Sequence, residues 1–384
     1  MKKALMMASV AGMIDSFNRD NIKILQSLGY QVEIACNFSL GLPETIAREQ
    51  RFREEMEDQG INTHELPVPR AISKIADILK AYSLMKKLCQ ENKYDLVHCH
   101  SPIGGVIARL ACRKARMSGT KVIYTAHGFH FYKGAPLKNW LLFYPVERLV
   151  SRFTDLLITI NREDYKRAQG FHAKKVVYLP GIGVDTKKFS NVSDQRSQKR
   201  QELGIDEQIT VILSVGELIH RKNFETALKA AARLKDEAFV YLFCGEGPLN
   251  KILKTMAIEL GISDKVFFLG FRRDIPQICG AADLFFFPSY QEGLPVAVME
   301  AMSSGLPVVA SSIRGNTDLI ADNEGGYLFE AEDHDGYAKA LKLLLKDEAL
   351  RKSMGNHNQE VMKKFEKGAV NDQMKDYYNL AQSN

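Results

Sequence analysis

"DLFFFPSYQEGLPVAVMEAMSSGLPVVASS", residues 283 to 312, runs from one apolar segment through a stretch of small residues to another apolar segment. The runs "DLFFFPS" and "PVVAS" have the length and composition of buried strands, and the segment between them has the pattern of a helix. The turn "SYQEGLP" joins the first strand to that helix. This strand, helix, strand order is typical of a parallel sheet covered by helices.

The same alternation extends over the whole chain. Predicted strands of the first half are "KALMMAS", "QVEIAC", "DLVHCH", "KVIYTAH", "LLITI" and "KVVYLP". Those of the second half are "ITVILSVG", "FVYLFCG", "VFFLG", "DLFFFPS", "PVVAS" and "GYLFE". Near-continuous apolar strands between amphipathic helices predict an α/β fold of two doubly wound, Rossmann-like domains.

The chain has 384 residues, which suits two domains. The break falls near "LPGIGVDTKKFSNVSDQRSQKRQELGI", where glycines and a polar stretch precede the next strand. We therefore predict domains at 1–182 and 183–365, followed by a weakly amphipathic C-terminal helix within 366–384. Ligands of such sheets bind beyond the carboxyl ends of the strands, so a cleft between the domains is the expected site.

The N-terminal segment and the cysteines indicate where the protein is located. "MKKALMMASVAGMIDS" has features of a signal peptide, but a buried first strand followed by a glycine turn explains the same letters and fits the alternation. The six cysteines show no paired spacing and lie in apolar segments, as in proteins of a reducing compartment. We expect a cytoplasmic protein, with peripheral contact at the inner face of the cytoplasmic membrane as a further possibility.

Charge is distributed unevenly. Residues 1 to 182 carry 27 Lys and Arg against 17 Asp and Glu, a net +10, whereas the remainder carries 25 against 29, a net −4. Basic residues recur along "RAISKIADILKAYSLMKKL" and "RLACRKARM" with apolar residues at helical spacing. A solvated basic face and contact with an anionic membrane surface both explain this pattern. Aromatic residues are not interleaved with the charges, so no nucleic-acid partner is expected.

Polar residues follow several strand ends. His127 follows "KVIYTA", Arg221 and Lys222 follow "ITVILSV", and the turns "GEGP" and "SYQEGLP" follow two further strands. Glycine-bearing turns at helix N-termini bind anions through free backbone N–H groups and the helix dipole. With two cations beside them, these turns predict a diphosphate site.

Two glutamates stand eight positions apart in the opening stretch. Pro295 suits the first helical turn and Gly293 permits close approach of a ligand, so Glu292 is expected in the turn at the cleft. Glu300 then lies about one and a half turns into the helix among small apolar residues. A carboxylate there needs a polar partner, for which paired ribose hydroxyls are suitable. The alternative, two ordinary helix glutamates, stays open.

"EGLPVAVMEAMSSGLPVVAS" resembles the E-x7-E element of retaining family 4 glycosyltransferases, which have the GT-B fold. "GYQVEIAC", "YTAHGFHFY", "LPGIGVD", "SVGEL" with "RKN", "GEGP" and "FLGFRRDI" follow in the order of that family over nearly the whole chain. The sequences "AHGFHFYKGAP" and "VGEL" are most similar to those of family members from bacterial capsule and exopolysaccharide gene clusters. The resemblance implies transfer of a sugar from a nucleotide-sugar donor, expected to be uridine-linked, to a saccharide or lipid-linked saccharide.

The resemblance also implies roles for individual residues. Catalysis is expected from His127, Glu292 and Lys222. Donor binding is expected from Gly12, Arg221, Lys222, Phe271, Arg272, Glu292, Gly293, Leu294, Pro295 and Glu300. Within this set Glu300 would hold the ribose, and the backbone around Phe271 and Arg272 would meet the base. The acceptor would bind the N-terminal domain, and the last helix would cross back to that domain.

Several features keep alternatives open. Family members commonly carry arginine where this chain has Glu217, which would repel a diphosphate unless it points elsewhere or pairs with Arg221 or Lys222. His98 and His100 in "HCHSP" are either structural or polar groups on the acceptor side. "DHD" at 333 to 335 is expected to cap a helix, and neither a metal nor another cofactor is implied. An epimerase of the same fold and a non-catalytic nucleotide-sugar-binding protein are the competing functions.

Overall fold

The computed structural model describes residues 1 to 383, so Asn384, the last residue of the predicted C-terminal segment, lies outside it. The chain forms two compact units. Unit 1 is Met1–Ile182 together with the chain from Val370 onward, and unit 2 is Gly183–Ala369. Across the described residues, none of the helices is long and apolar enough to cross a bilayer.

Unit 1 is built on one parallel sheet of seven strands. These are β1 (Lys2–Val10), β2 (Tyr30–Asn37), β3 (Thr63–Glu65), β4 (Leu96–His100), β5 (Lys121–Ala126), β6 (Leu156–Thr159) and β7 (Lys175–Tyr178). Their order in the sheet is β3-β2-β1-β4-β5-β6-β7, and every pairing is parallel. The strand order reverses between β1 and β4, which is the switch point of a doubly wound sheet.

Helices cover both faces of this sheet. They are α1 (Ala11–Phe17), α2 (Arg19–Ser27), α3 (Pro43–Asp58), α4 (Ile75–Asn92), α5 (Pro102–Ala111), α6 (Arg113–Met117), α7 (Leu137–Val150) and α8 (Arg162–Ala168). Alternate residues of β1 enter two separate cores: Met6 belongs to one and Leu5 to the other. The sheet is therefore buried on both faces, as its continuous apolar strands predicted.

Unit 2 repeats the plan with six parallel strands. These are β8 (Thr210–Val215), β9 (Phe239–Cys244), β10 (Val266–Phe268), β11 (Leu284–Phe287), β12 (Val308–Ser311) and β13 (Gly326–Phe329). The sheet order is β10-β9-β8-β11-β12-β13, so its switch point lies between β8 and β11. The helices are α9 (Thr186–Ser190), α10 (Arg196–Glu202), α11 (Phe224–Ala232), α12 (Asn250–Glu259), α13 (Ile275–Ala281), α14 (Val296–Ser303), α15 (Asn316–Leu319), α16 (His334–Lys346) and α17 (Glu348–Met362).

The last helix, α18 (Lys367–Gln382), returns the chain to unit 1. Its residues Val370, Met374 and Tyr378 have the helical spacing seen in the sequence, and all three are buried in a core of unit 1. Tyr377 lies beside them and donates a hydrogen bond from its hydroxyl to the carbonyl of Tyr178, at 2.7 Å. The amphipathic pattern of the tail is therefore explained by packing within unit 1.

One local prediction was wrong, one short strand was missed, and one local prediction was confirmed. The expected glycine turn after the first strand is absent, since α1 begins at Ala11 and contains Gly12. Strand β3 was not predicted, because "THE" has no apolar run and forms only a short edge of the sheet. The "DHD" segment caps α16 as expected, with the Asp333 carboxylate accepting a hydrogen bond from the Gly336 N–H.

Candidate active site

The carboxyl ends of β8 and β11 bring two loops together at the switch point of unit 2. The loop after β8 contains residues 216 to 223, and the loop after β11 contains residues 288 to 295. The backbone N–H of Tyr290 donates to the carbonyl of Arg221 at 2.9 Å, which ties the two loops to each other. This is the position at which doubly wound sheets bind their ligands.

A carboxylate and two cations meet in this place. The Lys222 ammonium lies 2.8 Å from Glu292 Oε1, and the Arg221 guanidinium lies 3.0 Å from the same oxygen. Glu292 and Lys222 are largely buried, whereas the Arg221 side chain is 42 % exposed. Burial lowers the pKa of Lys222, and the neighbouring Glu292 carboxylate opposes that effect. The cluster carries a net charge of +1 and suits an anionic ligand.

The backbone around Lys222 is fixed by its neighbour Asn223. Asn223 adopts the left-handed conformation, with φ of 57°, directly before α11. Its buried side-chain amide donates to the carbonyl of Pro288 at 2.9 Å and to that of Ala331 at 2.8 Å. The residue therefore binds the β8 loop to the β11 loop and orients the two cations before it.

Residues after β12 support the loop that carries Glu292. The Arg314 guanidinium donates to the Glu292 carbonyl at 3.0 Å, and both residues are buried. Gly315 has φ of +81°, and a Cβ at that position would lie 2.4 Å from the Gly293 carbonyl oxygen. Neither Arg314 nor Gly315 was predicted as a site residue. The only sequence signal was the glycine of "SIRGN" at a third strand end.

A methyl group at Gly315 is expected to displace the Glu292 loop. Gly315→Ala should destabilise the protein by about 1–3 kcal/mol and weaken binding of a nucleoside diphosphate, because its Cβ collides with backbone rather than with a flexible side chain. Gly261→Ala is the matched control, since Gly261 also has positive φ but no atom near its Cβ. Thermal unfolding and calorimetric titration measure both effects. Equal binding by the two variants would contradict the supporting role.

Glu300 lies on α14, which begins just after Pro295 at Val296. The Glu300 side chain is half-buried, and among the described residues no donor is hydrogen-bonded to its carboxylate. Burial raises its pKa to about 7, and the charge of Lys188 opposes that effect. A half-buried carboxylate without a bonded donor is a suitable acceptor for ligand hydroxyls.

Comparison with known proteins decides the family. Residues 195–361 match the family Glycosyl transferases group 1, and residues 16–181 match the Glycosyl transferase 4-like domain. Glycosyltransferase EpsD of Bacillus subtilis is 36% identical over 382 residues, which cover 98% of this chain and 96% of EpsD. This chain belongs to the family 4 glycosyltransferases.

Two further proteins are similar to this glycosyltransferase. The UDP-Gal:alpha-D-GlcNAc-diphosphoundecaprenol alpha-1,3-galactosyltransferase of Escherichia coli is 32% identical over 318 residues, covering 80% of this chain and 81% of that enzyme. Among solved structures, Anabaena HepE in complex with UDP and glucose superposes with a TM-score of 0.78 at 21% identity, covering 99% and 100% of the two chains. The GT-B fold predicted from the sequence is thereby confirmed in its two Rossmann-like units.

The segment that was predicted to meet the base through its backbone contains Phe271 and Arg272. Phe271 follows β10 and is 66% exposed, and its backbone nitrogen lies 3.5 Å from Glu246 Oε1. The Arg272 guanidinium instead bonds both oxygens of Asp274, at 2.8 and 2.6 Å, and lies 3.3 Å from Glu202. Arg272 is therefore held within unit 2, and only its backbone is left for the predicted contact with a base.

Glu217 occupies the position where the family commonly has arginine. Its side chain is exposed, and it pairs with neither Arg221 nor Lys222, which both contact Glu292. The suggested pairing of Glu217 is therefore wrong. The two cations instead contact a carboxylate from the β11 loop, and Glu217 acts on Lys222 only through space, where its negative charge opposes the lowering of the Lys222 pKa by burial.

In unit 1, three histidines lie side by side at the ends of β4 and β5. His127 Nε2 lies 3.1 Å from His100 Nδ1, and the rings of His100 and His98 are 4.1 Å apart. Burial lowers the pKa of His127 to about 4 and that of His98 to about 3, so both are neutral at pH 7. His127 thus presents a neutral imidazole rather than a cation.

His98 and His100 are fully buried. His98 bonds the Tyr378 hydroxyl and the Thr125 hydroxyl, each at 2.8 Å, and His100 contacts Met6 and His127. These contacts use both ring nitrogens of each histidine. Of the two alternatives that the sequence left open, these contacts favour the structural one, in which both histidines support the strand ends and His127.

Gly12 lies in the first turn of α1, where its backbone N–H is 3.3 Å from Glu49 Oε1. Glu49 is buried, and burial raises the pKa of its carboxylate. Glu49 was missed in the sequence because it lies within a helix rich in charged residues. Across residues 1 to 383, no three His, Cys, Asp or Glu side chains are grouped as a metal site.

Proposed function

We propose that the chain is a retaining glycosyltransferase that moves a hexosyl or N-acetylhexosaminyl group from a UDP-sugar to a lipid-linked saccharide. The observation that carries the donor assignment is the cluster of Lys222, Arg221 and Glu292 at the switch point of unit 2, with the unbonded Glu300 carboxylate on the following helix. Cations suit the diphosphate, and the carboxylate suits the ribose hydroxyls.

In this proposal the protein acts mainly by stabilising charge. As the bond between sugar and diphosphate breaks, negative charge grows on the departing diphosphate. Lys222, Arg221 and the N-terminus of α14 would bear that charge without a metal ion. Glu292 would orient Lys222 and the donor sugar with the backbone of Gly293 to Pro295, and it is not assigned as a nucleophile. The acceptor hydroxyl would attack from the face that the diphosphate leaves.

The proposal of a lipid-linked acceptor is supported by the names of relatives and by the charge of the N-terminal half of the chain. The Escherichia coli relative is named for a diphosphoundecaprenol-linked acceptor. A role in exopolysaccharide assembly is proposed from the sequence resemblance of "AHGFHFYKGAP" and "VGEL". The net +10 of residues 1 to 182 suits a cytoplasmic enzyme that works at the anionic inner face of the membrane. His127 is proposed to meet the reacting sugar from unit 1.

The direct test is transfer to a synthetic undecaprenyl-diphosphate sugar. The enzyme is incubated with UDP-galactose, UDP-glucose or UDP-N-acetylglucosamine, with and without EDTA, and the anomeric configuration of the product is read by NMR. We expect an α-linked product from one α-linked donor, at a rate unaffected by EDTA. A β-linked product would contradict retention, and loss of activity in EDTA would contradict the metal-independent mechanism.

A further inference from the structure

Helix α7 exposes an apolar face. Leu137, Leu141 and Leu149 are 72%, 71% and 54% exposed. With Leu142 and Val146, also exposed, they recur at helical spacing on the outward half of α7. We call this set the leucine face. So many large apolar side chains on one helix mark an interaction surface rather than ordinary exposed residues.

The inward half of the same helix is well packed. Trp140, Phe143 and Tyr144 lie against the core under α5. Glu147 is buried and pairs with Arg109 at 2.8 Å. The exposure of the leucine face is therefore not caused by a loosely held helix.

The segment of chain that contains the leucine face is strongly basic. From Ser101 to Thr154 the chain has nine Lys and Arg and a single acid, Glu147. Because Arg109 neutralises Glu147 in a buried ion pair, the exposed charges of this segment are all positive. Lys138 and Arg148 stand on the exposed half of α7 itself. A second apolar set, Ile72, Ile75 and Leu79, is exposed at the start of α4, which packs on α5 as α7 does.

We propose that the leucine face of α7 docks on an anionic lipid bilayer, with its apolar side chains in the interface and the surrounding cations on the headgroups. Charge complementarity favours this occupant. A two-fold contact with a second copy would place the same cations against each other, which is unfavourable. This inference rests on the proposed function, because the purpose of the docking is access to a lipid-linked acceptor.

The docking helix is bonded to the loop that carries His127. Asn139 on α7 donates to the His130 carbonyl at 3.0 Å, and the His130 ring lies 4.8 Å from Phe143. Phe131 of the same loop packs edge-on against Tyr144, with ring centroids 5.3 Å apart. Docking of α7 would therefore hold the His127 loop next to the membrane surface from which a lipid-linked acceptor projects.

The test is co-sedimentation with vesicles of phosphatidylglycerol and phosphatidylethanolamine, and with phosphatidylcholine vesicles, at low and high salt. The test variant is Leu141→Glu with Leu149→Glu. Its control is Ile252→Glu with Ile258→Glu on α12, where both side chains are also more than half exposed. The two variants add the same charge. We expect the α7 variant to bind anionic vesicles at least tenfold more weakly, and the α12 variant to stay within twofold of wild type.

Three results would overturn the inference: no wild-type binding to anionic vesicles at low salt, equal loss in both variants, or conversion of a wild-type dimer to monomer by the α7 variant. Leu141→Ser with Leu149→Ser, checked by circular dichroism, provides a second variant without added charge. Vesicle binding needs no donor, and UDP-induced thermal shifts are measured on the same proteins. The absence of a UDP-induced thermal shift in wild type and in every variant would refute the proposed donor. The vesicle-binding result would still test the docking of α7.

Discussion

Replacement of Lys222 by alanine is expected to lower the turnover number for sugar transfer by two to three orders of magnitude. Lys222 is the more buried of the two cations at the anion site, and its ammonium lies 2.8 Å from Glu292. Loss of one preorganised group that stabilises transition-state charge typically costs about 2.7–4 kcal/mol. Because the charge grows as the diphosphate departs, kcat should fall more than the affinity for UDP. Steady-state kinetics and UDP titration separate the two.

The matched control is Lys229→Ala, seven residues further along and exposed on α11. It removes the same charge from the same domain, so it accounts for any general electrostatic effect on the donor. Thermal unfolding of Lys222→Ala checks that the fold persists. A loss of turnover below about fivefold, in a folded variant, would mean that Lys222 only neutralises Glu292.

The affinity for UDP is expected to fall as pH decreases below about 7, by up to tenfold per pH unit. Burial raises the pKa of Glu300 from an ordinary 4.5 to about 7, so its carboxylate is protonated in much of the free protein at pH 6. Ribose hydroxyls that donate to Glu300 favour the ionised form, and binding must then displace the proton. Above pH 7 no proton needs to be displaced, and the affinity should level off.

The control for this prediction is Glu300→Gln, which keeps the shape of the side chain and cannot ionise. The phosphate groups of UDP also titrate, and the pH profile of the variant contains their contribution without that of Glu300. The difference between the wild-type and variant profiles therefore isolates the contribution of Glu300. Isothermal titration in buffers of different ionisation enthalpy counts the proton released. Parallel profiles for wild type and variant would contradict the assignment of Glu300 to the ribose.

Stability should change with pH in the same window. The folded-state pKa of Glu300 lies above its unfolded value, so the folded protein binds a proton that the unfolded chain releases between about pH 4.5 and 7. This contribution to stability falls as pH rises through that interval and is constant above it. Glu300→Gln should therefore gain stability relative to wild type at pH 8 and lose that advantage at pH 4, as measured by thermal unfolding without ligand.

Much of the fold was predictable because both sheets are buried on both faces. Their strands are continuous apolar runs, which stand out between amphipathic helices. The edge strand β3 lacks that signal, because "THE" is only partly buried and its register depends on pairing with β2. The start of α1 was also missed, because a glycine after a strand predicts a turn equally well, and only tertiary packing determines that Gly12 is helical.

The site was predictable in its residue types but not in its pairings. Strand ends identified Lys222, Glu292 and Glu300 as neighbours of one edge of a sheet. That Arg221 and Lys222 share Glu292, and that Arg314 holds its carbonyl, depends on contacts between loops more than twenty residues apart. The surroundings of His98 could not be predicted at all. The alternation along β4 does not show that the hydroxyl of Tyr378, at the far end of the chain, is hydrogen-bonded to the His98 ring.

The central claim is that unit 2 binds a nucleoside diphosphate between Lys222 and Glu300. The most direct measurement is a thermal-shift panel of UDP, GDP and ADP on wild type and Glu300→Ala. At 100 times its dissociation constant, a ligand that binds only the folded state stabilises it by about 2.7 kcal/mol. We predict that UDP raises the melting temperature of wild type and that the shift is lost in Glu300→Ala. Absence of a shift with every diphosphate in wild type would contradict the claim.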